Sequence, residues 1–412
     1  MPNTNLKSSA DTLSLGRILL LSLPYAWISV FNSVLDNGLP VILTALPEDG
    51  GLGLTFTAKG VVMALDNILG LFLLPLFGRL SDKSRSRFGK RTPFILIGGI
   101  GALLTWIGAG VFLGIGAKWM FLILLTGGLA AIAMGRPASL ALLPDFSPLH
   151  QRRDANAITQ IVSIVCTVVG IAIVGIFSPK GYQTVFYATS AALLVLVVVY
   201  VFAVKERRWT PPPAAAQETE QGHGKSSRRT QVLFLLSVFF FYIAYNGLIS
   251  SLSNYAVDVL NLDKQKFVLP QALTLVVACI AAVPVAKLQK RFKRKTLLVG
   301  GMALMTAAFA LASLQPQLNA MMFVSFLLVG AGFAAVIVNL YPFQLELSPP
   351  DKIGSSTGLF NTVITLAMVL TPIASGALAD WQGMWTLFPY CIAALVLALA
   401  FLVAVRAEDA AA

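Results

Sequence analysis

Long apolar runs, broken by short polar clusters, fill almost the whole chain. One of them, residues 61 to 78, reads VVMALDNILGLFLLPLFG and carries a single carboxylate, Asp66. A bilayer core about 30 Å thick requires roughly 20 apolar residues per helix. Twelve stretches reach that length: 17–46, 58–80, 93–115, 119–142, 155–177, 184–204, 231–256, 267–288, 296–314, 319–342, 356–379 and 384–405. The pattern predicts an all-α membrane protein of twelve transmembrane helices.

Composition agrees: 57% of the 412 residues are hydrophobic and only 12% charged, outside the range of soluble domains. The net charge of +12 does not imply nucleic acid, because the basic residues sit in short clusters between apolar runs rather than on one solvated face. Cytoplasmic loops retain Lys and Arg. The loops after odd-numbered segments hold only Lys59, Lys118, Lys180, Lys264 and Lys266, while the other basic residues, Arg136 apart, gather in the tails and loops after even-numbered segments. Both termini are therefore expected in the cytoplasm, in a multi-pass protein of the cell membrane. The first apolar run continues past Asp36 with no small-residue cleavage site, so it reads as a retained span. Cys166, Cys279 and Cys391 all fall within apolar runs and read as small fillers.

Residues 205–230, KERRWTPPPAAAQETEQGHGKSSRRT, have no apolar periodicity and read as a polar cytoplasmic linker. It separates an N-terminal six-helix bundle, 1–204, from a C-terminal one, 231–412. The halves echo each other. LPDFSP (143–148) answers QLELSP (344–349), aligning Asp145 with Glu346, and FGKRTPF (88–94) meets RFKRKTL (291–297) at nearly the same offset. Two pseudo-symmetric six-helix bundles are the major facilitator fold.

Two motifs add chemistry. GRLSDKSRSRFGKRTPF (78–94) joins the second and third segments, with Gly78 suited to close helix approach, Asp82 to accepting from a helix N-terminus, and Arg85, Arg87, Gly89, Lys90 and Arg91 to a turn at the cytoplasmic face. A plain positive-inside loop explains the basic residues but not the Gly-Arg-x-x-Asp lead-in or the Gly-Lys-Arg-x-Pro exit. Together with RPASLALLPDFSPLHQRRDANA (136–157), this segment resembles the sucrose-proton and glycoside-pentoside-hexuronide symporter branch of the major facilitator superfamily. The resemblance implies cation-coupled uptake of a sugar or glycoside by alternating access. It also implicates Asp145, in ALLPD, and Arg153 in proton coupling. Thr92 and Pro144 depart from the pattern. The paired aspartates of melibiose-type members fall on Gly70 and Leu74, so their sodium site does not carry over.

Intramembrane carboxylates mark ion pathways by default. Asp36 lies about eight residues, roughly 12 Å, inside the expected outer surface, and Asp66 lies at the same depth on the next segment. Each occurs as Leu-Asp-Asn, at 35–37 and 65–67. Such a pair can hold a proton or, with the Asn carbonyls, an alkali cation. The alternative is that each caps a broken helix, which Gly38 and Pro40 favour for Asp36. Arg136 can bind substrate hydroxyls or a carboxylate through its planar fork, or snorkel to the surface. Candidate sugar ligands are Asn32, Asn156, Gln160, Tyr242, Asn246, Asn339, Tyr341 and Asn361, with Ser250 and Ser253 on the same helical face as Tyr242 and Asn246; each can equally be interhelical glue.

No catalytic constellation, metal cluster or phosphate loop stands out, so no enzyme activity and no cofactor are expected. The expected partners are a small solute, a coupling proton or sodium ion and the bilayer, with the chain acting as a monomer. The chief rival keeps the fold and changes the cargo to a drug, amino acid or lipid, or the direction to export. A non-transporting membrane sensor ranks lower.

Overall fold

The computed structural model describes residues 13–206, 227–315, 317–349 and 353–405, the side chains of Leu149, His150 and Arg153 apart. The helices are α1 Leu15–Leu21, α2 Leu23–Asn37, α3 Leu39–Thr44, α4 Phe56–Lys83, α5 Thr92–Gly114, α6 Lys118–Phe146, α7 Leu149–Phe177, α8 Tyr182–Ala203, α9 Arg228–Asp258, α10 Leu269–Leu288, α11 Arg294–Ser313, α12 Ala320–Leu347, α13 Ile353–Gln382 and α14 Leu387–Ala404. No strand occurs among the described residues. Eleven of these helices are long and apolar enough to cross a membrane, and twelve spans result if α1 and α2, bent by 46°, count as one.

The first apolar run is therefore not one rod over 17–46. Pro24 cannot donate into a helix ladder and its ring crowds the carbonyl four residues earlier. Ser22 closes α1 instead, donating Oγ to the Ile18 carbonyl at 2.8 Å and pairing with Thr159 Oγ1 on α7 at 2.7 Å. Gly38 and Pro40 then separate α2 from α3. A second departure concerns Lys59: expected in a loop, it lies inside α4 and is fully buried.

The chain forms two compact units, one drawn from Met1–Val34, Leu69–Ile173 and Tyr182–Glu218, the other from Leu35–Ile68, Val174–Gly181 and Thr219–Ala412. Both unit boundaries before residue 70 fall inside helices: α2 and α4 each contribute one end to either unit. The linker expected over 205–230 lies mostly outside the described residues.

Within the first unit, α5 packs along α6 and α8. The glycine-rich face of α5 is a close-packing surface, because a Cβ on Gly98 would lie 2.8 Å from the Gly135 Cα on α6. Backbones that approach this closely gain dispersion contact, which replaces the hydrophobic drive that lipid cannot supply. Trp106 anchors the centre, with its ring 4.3 Å from Phe31 and 4.9 Å from Phe186, centroid to centroid. α2 and α7 are joined by a ladder of small polar groups. Ser29 Oγ meets Ser163 Oγ at 2.5 Å and Ser33 Oγ donates to the Thr167 carbonyl at 2.7 Å.

In the second unit α9 packs between α13 and α14, α11 between α12 and α14, and α10 against α12. Phe234, Phe241, Met302, Phe309, Phe326 and Phe388 fill its core. Cys391, fully buried, donates its thiol to the Ala244 carbonyl at 3.3 Å.

Replacing Gly98 by leucine is expected to push α5 off α6 and lower the stability of the detergent-solubilised protein by about 1–3 kcal/mol, the usual range for overpacking. Thermal unfolding followed by fluorescence-detected gel filtration measures this, and an unchanged midpoint would count against the close approach.

Candidate functional site

Charged side chains in apolar surroundings need partners, and one cluster forms where α4 ends and α5 begins. Arg91 is almost fully buried. Its Nε donates to Asp145 Oδ2 on α6 at 2.8 Å, and its Nη1 reaches Asp82 Oδ1 and Ser81 Oγ, both at 2.7 Å. Burial works against the Arg91 charge, yet the hydrogen bond and field of Asp145, followed by those of Asp82, outweigh it and raise the guanidinium pKa above its ordinary value.

Asp82 therefore pairs with Arg91, and with Lys90 at 3.6 Å, instead of receiving the helix N-terminus for which its position suited it. The α5 N-terminus is capped by Glu206, just beyond α8. Its carboxylate accepts from the backbone N–H groups of Lys90 at 2.7 Å, Arg91 at 2.9 Å and Thr92 at 2.8 Å, and from Thr92 Oγ1 at 2.8 Å. A carboxylate at a helix N-terminus satisfies orphan donors and meets the positive end of the dipole. Gly89 is required here: its φ is +120° and a Cβ would fall 2.3 Å from Glu206 Oε2. Gly78 is not, since an added Cβ would sit at ordinary contact, 3.7 Å from Pro137 Cβ. Arg87 is exposed and lies over the Phe88 ring.

The same pairing recurs in the second unit. Arg294 Nη1 bonds Glu346 Oε1, and these are the residues that the sequence echo aligns with Arg91 and Asp145. The echo is thus an equivalence of ion pairs: in each half, the arginine that opens one helix grips the acid near the end of the next.

Deeper in the first unit, Arg136 donates Nη2 to Asn32 Oδ1 on α2 at 3.2 Å, while its buried Nε has no hydrogen-bond partner among the described residues. Arg136 thus turns toward α2 with a donor to spare. Asn156 and Gln160, four apart on α7, stand exposed. The Arg153 side chain lies outside the described residues.

In the second unit Asp36 and Asp66 are both half-buried. Asp36 lies near Tyr245, a partly buried ring on α9. Asp66 makes no hydrogen bond or ion pair with any described residue. Tyr242 packs its ring edge-on to Tyr245, 6.1 Å between centroids. Asn246 is engaged, donating Nδ2 to the Met368 carbonyl at 2.9 Å, and Asn339, fully buried, donates to the Ala335 carbonyl and accepts from Gln289 Nε2. Tyr341 leans toward Phe360, and Asn361 is exposed on α13.

Two functional groups escaped the sequence reading. Glu206 was hidden in a stretch of linker composition; the signal for it was Thr92-Pro93, a helix start without its own cap. Lys59 was hidden by the rule that assigns a cation at a segment edge to a loop. Its Nζ donates to the Ser250 carbonyl, Ser251 Oγ and Asn254 Oδ1 on α9, each at 3.2 Å.

Comparison with known proteins agrees with this architecture. A family model described as Major Facilitator Superfamily matches residues 26–363 and again 234–411. The proton-associated sugar transporter A of Homo sapiens is 49% identical over 53 residues, which are 13% of this chain and 7% of that protein. The Mus musculus counterpart matches to the same extent. The likeness thus spans only 7% of the length of these curated relatives. Among solved structures, a peptide transporter POT superposes with a TM-score of 0.74 at 16% identity over 95% of each chain. The nucleoside transporter NupG gives 0.70 at 14% identity over 94% of this chain and 100% of that one. A bacterial homologue of the human lysosomal transporter Spinster, inward-facing and occupied, gives 0.67 at 15% identity over 96% and 95%. At these identities the likeness shows the fold.

Replacing Glu206 by glutamine, which keeps the shape and removes the charge, is expected to destabilise the protein by about 1 kcal/mol, the usual loss for a helix cap. Alanine is expected to cost more, and scanning fluorimetry of the two variants measures the order. Arg91→Lys should behave nearly as badly as Arg91→Gln in solute uptake, since one ammonium cannot reproduce a fork shared between two aspartates.

Proposed function

The chain belongs to the major facilitator superfamily and is a membrane transporter, and from that premise we propose that it carries a sugar or glycoside together with a proton by alternating access. The observation that carries this reading is Asp66. It is a half-buried carboxylate in an apolar membrane helix, and no described residue offers it a hydrogen bond or a counter-charge. A structural carboxylate in such a place would be paired. One left open is suited to bind and release a small cation as its surroundings change.

Charge supplies the coupling. A bare carboxylate disfavours any state that seals it from water, whereas a protonated one does not, so loading the proton permits the occupied carrier to turn. Asp36 is the second candidate on the same route. Asp145 takes part differently, since its carboxylate is held by the Arg91 guanidinium at the end of α6 and bears on the turn between helices rather than on the substrate.

Sugar hydroxyls call for planar amide and guanidinium groups, and sugar C–H faces for aromatic rings. In the first unit Arg136, with its unpartnered Nε, and the exposed Asn156 and Gln160 fit this role. In the second, Tyr242 and Asn361 do. Asn32 positions Arg136, and Asn246 and Asn339 are held by protein groups and shape the walls. The local likeness to a proton-associated sugar transporter supports the same cargo and ion.

Purified protein in liposomes, tested with a panel of labelled sugars under an imposed pH gradient, is expected to accumulate one of them, and an uncoupler to abolish the accumulation. Asp66→Asn is expected to lose uphill accumulation, the internal sugar concentration rising no higher than the external one, while sugar-for-sugar exchange continues. Accumulation by Asp66→Asn equal to that of the parent, or binding of amphiphiles and no sugar, would sink the reading.

A further inference from the structure

Lys59 is the most deeply buried charge, among the described residues, that this mechanism leaves unused. It is fully buried one turn into α4, and among the described residues no carboxylate stands within ion-pair distance of it. Three neutral oxygens on α9 surround its ammonium instead, at 3.2 Å each. The Phe56 ring lies 5.6 Å away, and Asp258 and Asp380 act on it only through space. Three acceptors match the three donors of an ammonium, so the cradle is a built cation site with its cation attached to a neighbouring helix.

Everything else at this end of the second unit is drawn tight around that contact. Asn254, which supplies one cradle oxygen, donates its amide to the Pro40 carbonyl at 3.2 Å and to Thr44 Oγ1 at 2.7 Å, bringing in α3. At the N-terminus of α4, Asp380 of α13 accepts from the backbone N–H groups of Phe56 and Thr57, both at 2.8 Å. Backbones touch there: a Cβ on Gly60 would lie 2.0 Å from the Pro372 carbonyl oxygen, and one on Gly376 would lie 2.2 Å from that of Phe56. The first turn of α4 is thus gripped by α13 through backbone and by α9 through one ammonium.

We propose that Lys59 is a tethered cation that closes this end of the helix bundle, and that drawing it out of its α9 cradle into water is the step that opens the face expected to lie outside. Dipoles make the direct contacts, with Asp258 and Asp380 acting only from a distance, so the closure is strong while the site is dry and weak once water reaches it. The inference rests on the transporter reading only in requiring that the carrier alternates. It requires neither a sugar nor a proton.

The test uses the full-length carrier in liposomes without substrate, with Cys166, Cys279 and Cys391 replaced by serine or alanine and an Ala64→Cys reporter, buried one turn below Gly60 on α4. A membrane-impermeant maleimide reads how often that face opens. Lys59→Met is expected to raise the labelling rate about tenfold, the equivalent of one lost charge-assisted hydrogen bond. Ser251→Ala should raise it less, and should add nothing in the Lys59→Met background. In Lys59→Ala, methylammonium is expected to refill the cradle and restore protection. Unchanged labelling in Lys59→Met, or full additivity with Ser251→Ala, would overturn the proposal. Should Lys59→Met fail to fold, Ser251→Ala with the native lysine decides alone, an unchanged rate counting against the cradle. These outcomes leave the sugar and proton assignment untouched, since no solute is present.

Discussion

An ionised group surrounded by hydrocarbon must find a partner or keep water, and nearly every distinctive contact in this protein is one of those two solutions. Arg91 takes the first, between Asp82 and Asp145, and Arg294 does the same with Glu346. Glu206 takes it against backbone rather than a counter-ion, spending both carboxylate oxygens on the first donors of α5. Lys59 takes it against neutral oxygens. Asp66 has no such partner among the described residues, and the proposed coupling rests on that difference.

The paired arrangement of the two ion pairs gives the internal repeat a physical meaning. In each half, a basic residue at the start of one helix meets an acidic residue near the end of the next, at the end of the bundle where the chain turns. The pair fixes the register of two antiparallel helices, a task that lipid-facing apolar surface cannot perform because it slides without penalty. Small residues then allow the backbones to close, as Gly98 does on Gly135 and as the Ser29–Ser163 contact does between α2 and α7. Rigid packing on this scale favours discrete rearrangements over gradual deformation.

Function places the opposite demand on the same helices. A carrier needs some polar groups that stay unsatisfied until a solute or proton arrives. In the function proposed here, that demand falls to Arg136 with its idle Nε, the exposed amides of Asn156, Gln160 and Asn361, and the open carboxylate of Asp66. Asn246 and Asn339 resemble them in sequence but are already bonded to the protein.

The apolar runs by themselves determined the spans, because the length of a membrane helix follows from bilayer thickness, and the Asp145 to Glu346 echo determined the twofold plan, because equivalent ion pairs need equivalent residues. Asp66 was legible for the same reason, a charge among hydrocarbons being conspicuous in one dimension. Partner choice was decided only by the tertiary structure. Nothing local distinguishes Glu206 from other linker acids, Lys59 from other loop lysines, or Asn246 from Asn361, since hydrogen-bond satisfaction depends on groups that lie a hundred or more residues away along the chain. The break of the first run into α1, α2 and α3 lay between these cases: Pro24, Gly38 and Pro40 marked where the helix could fail, and the grip of Thr159 on Ser22 decided how it bent.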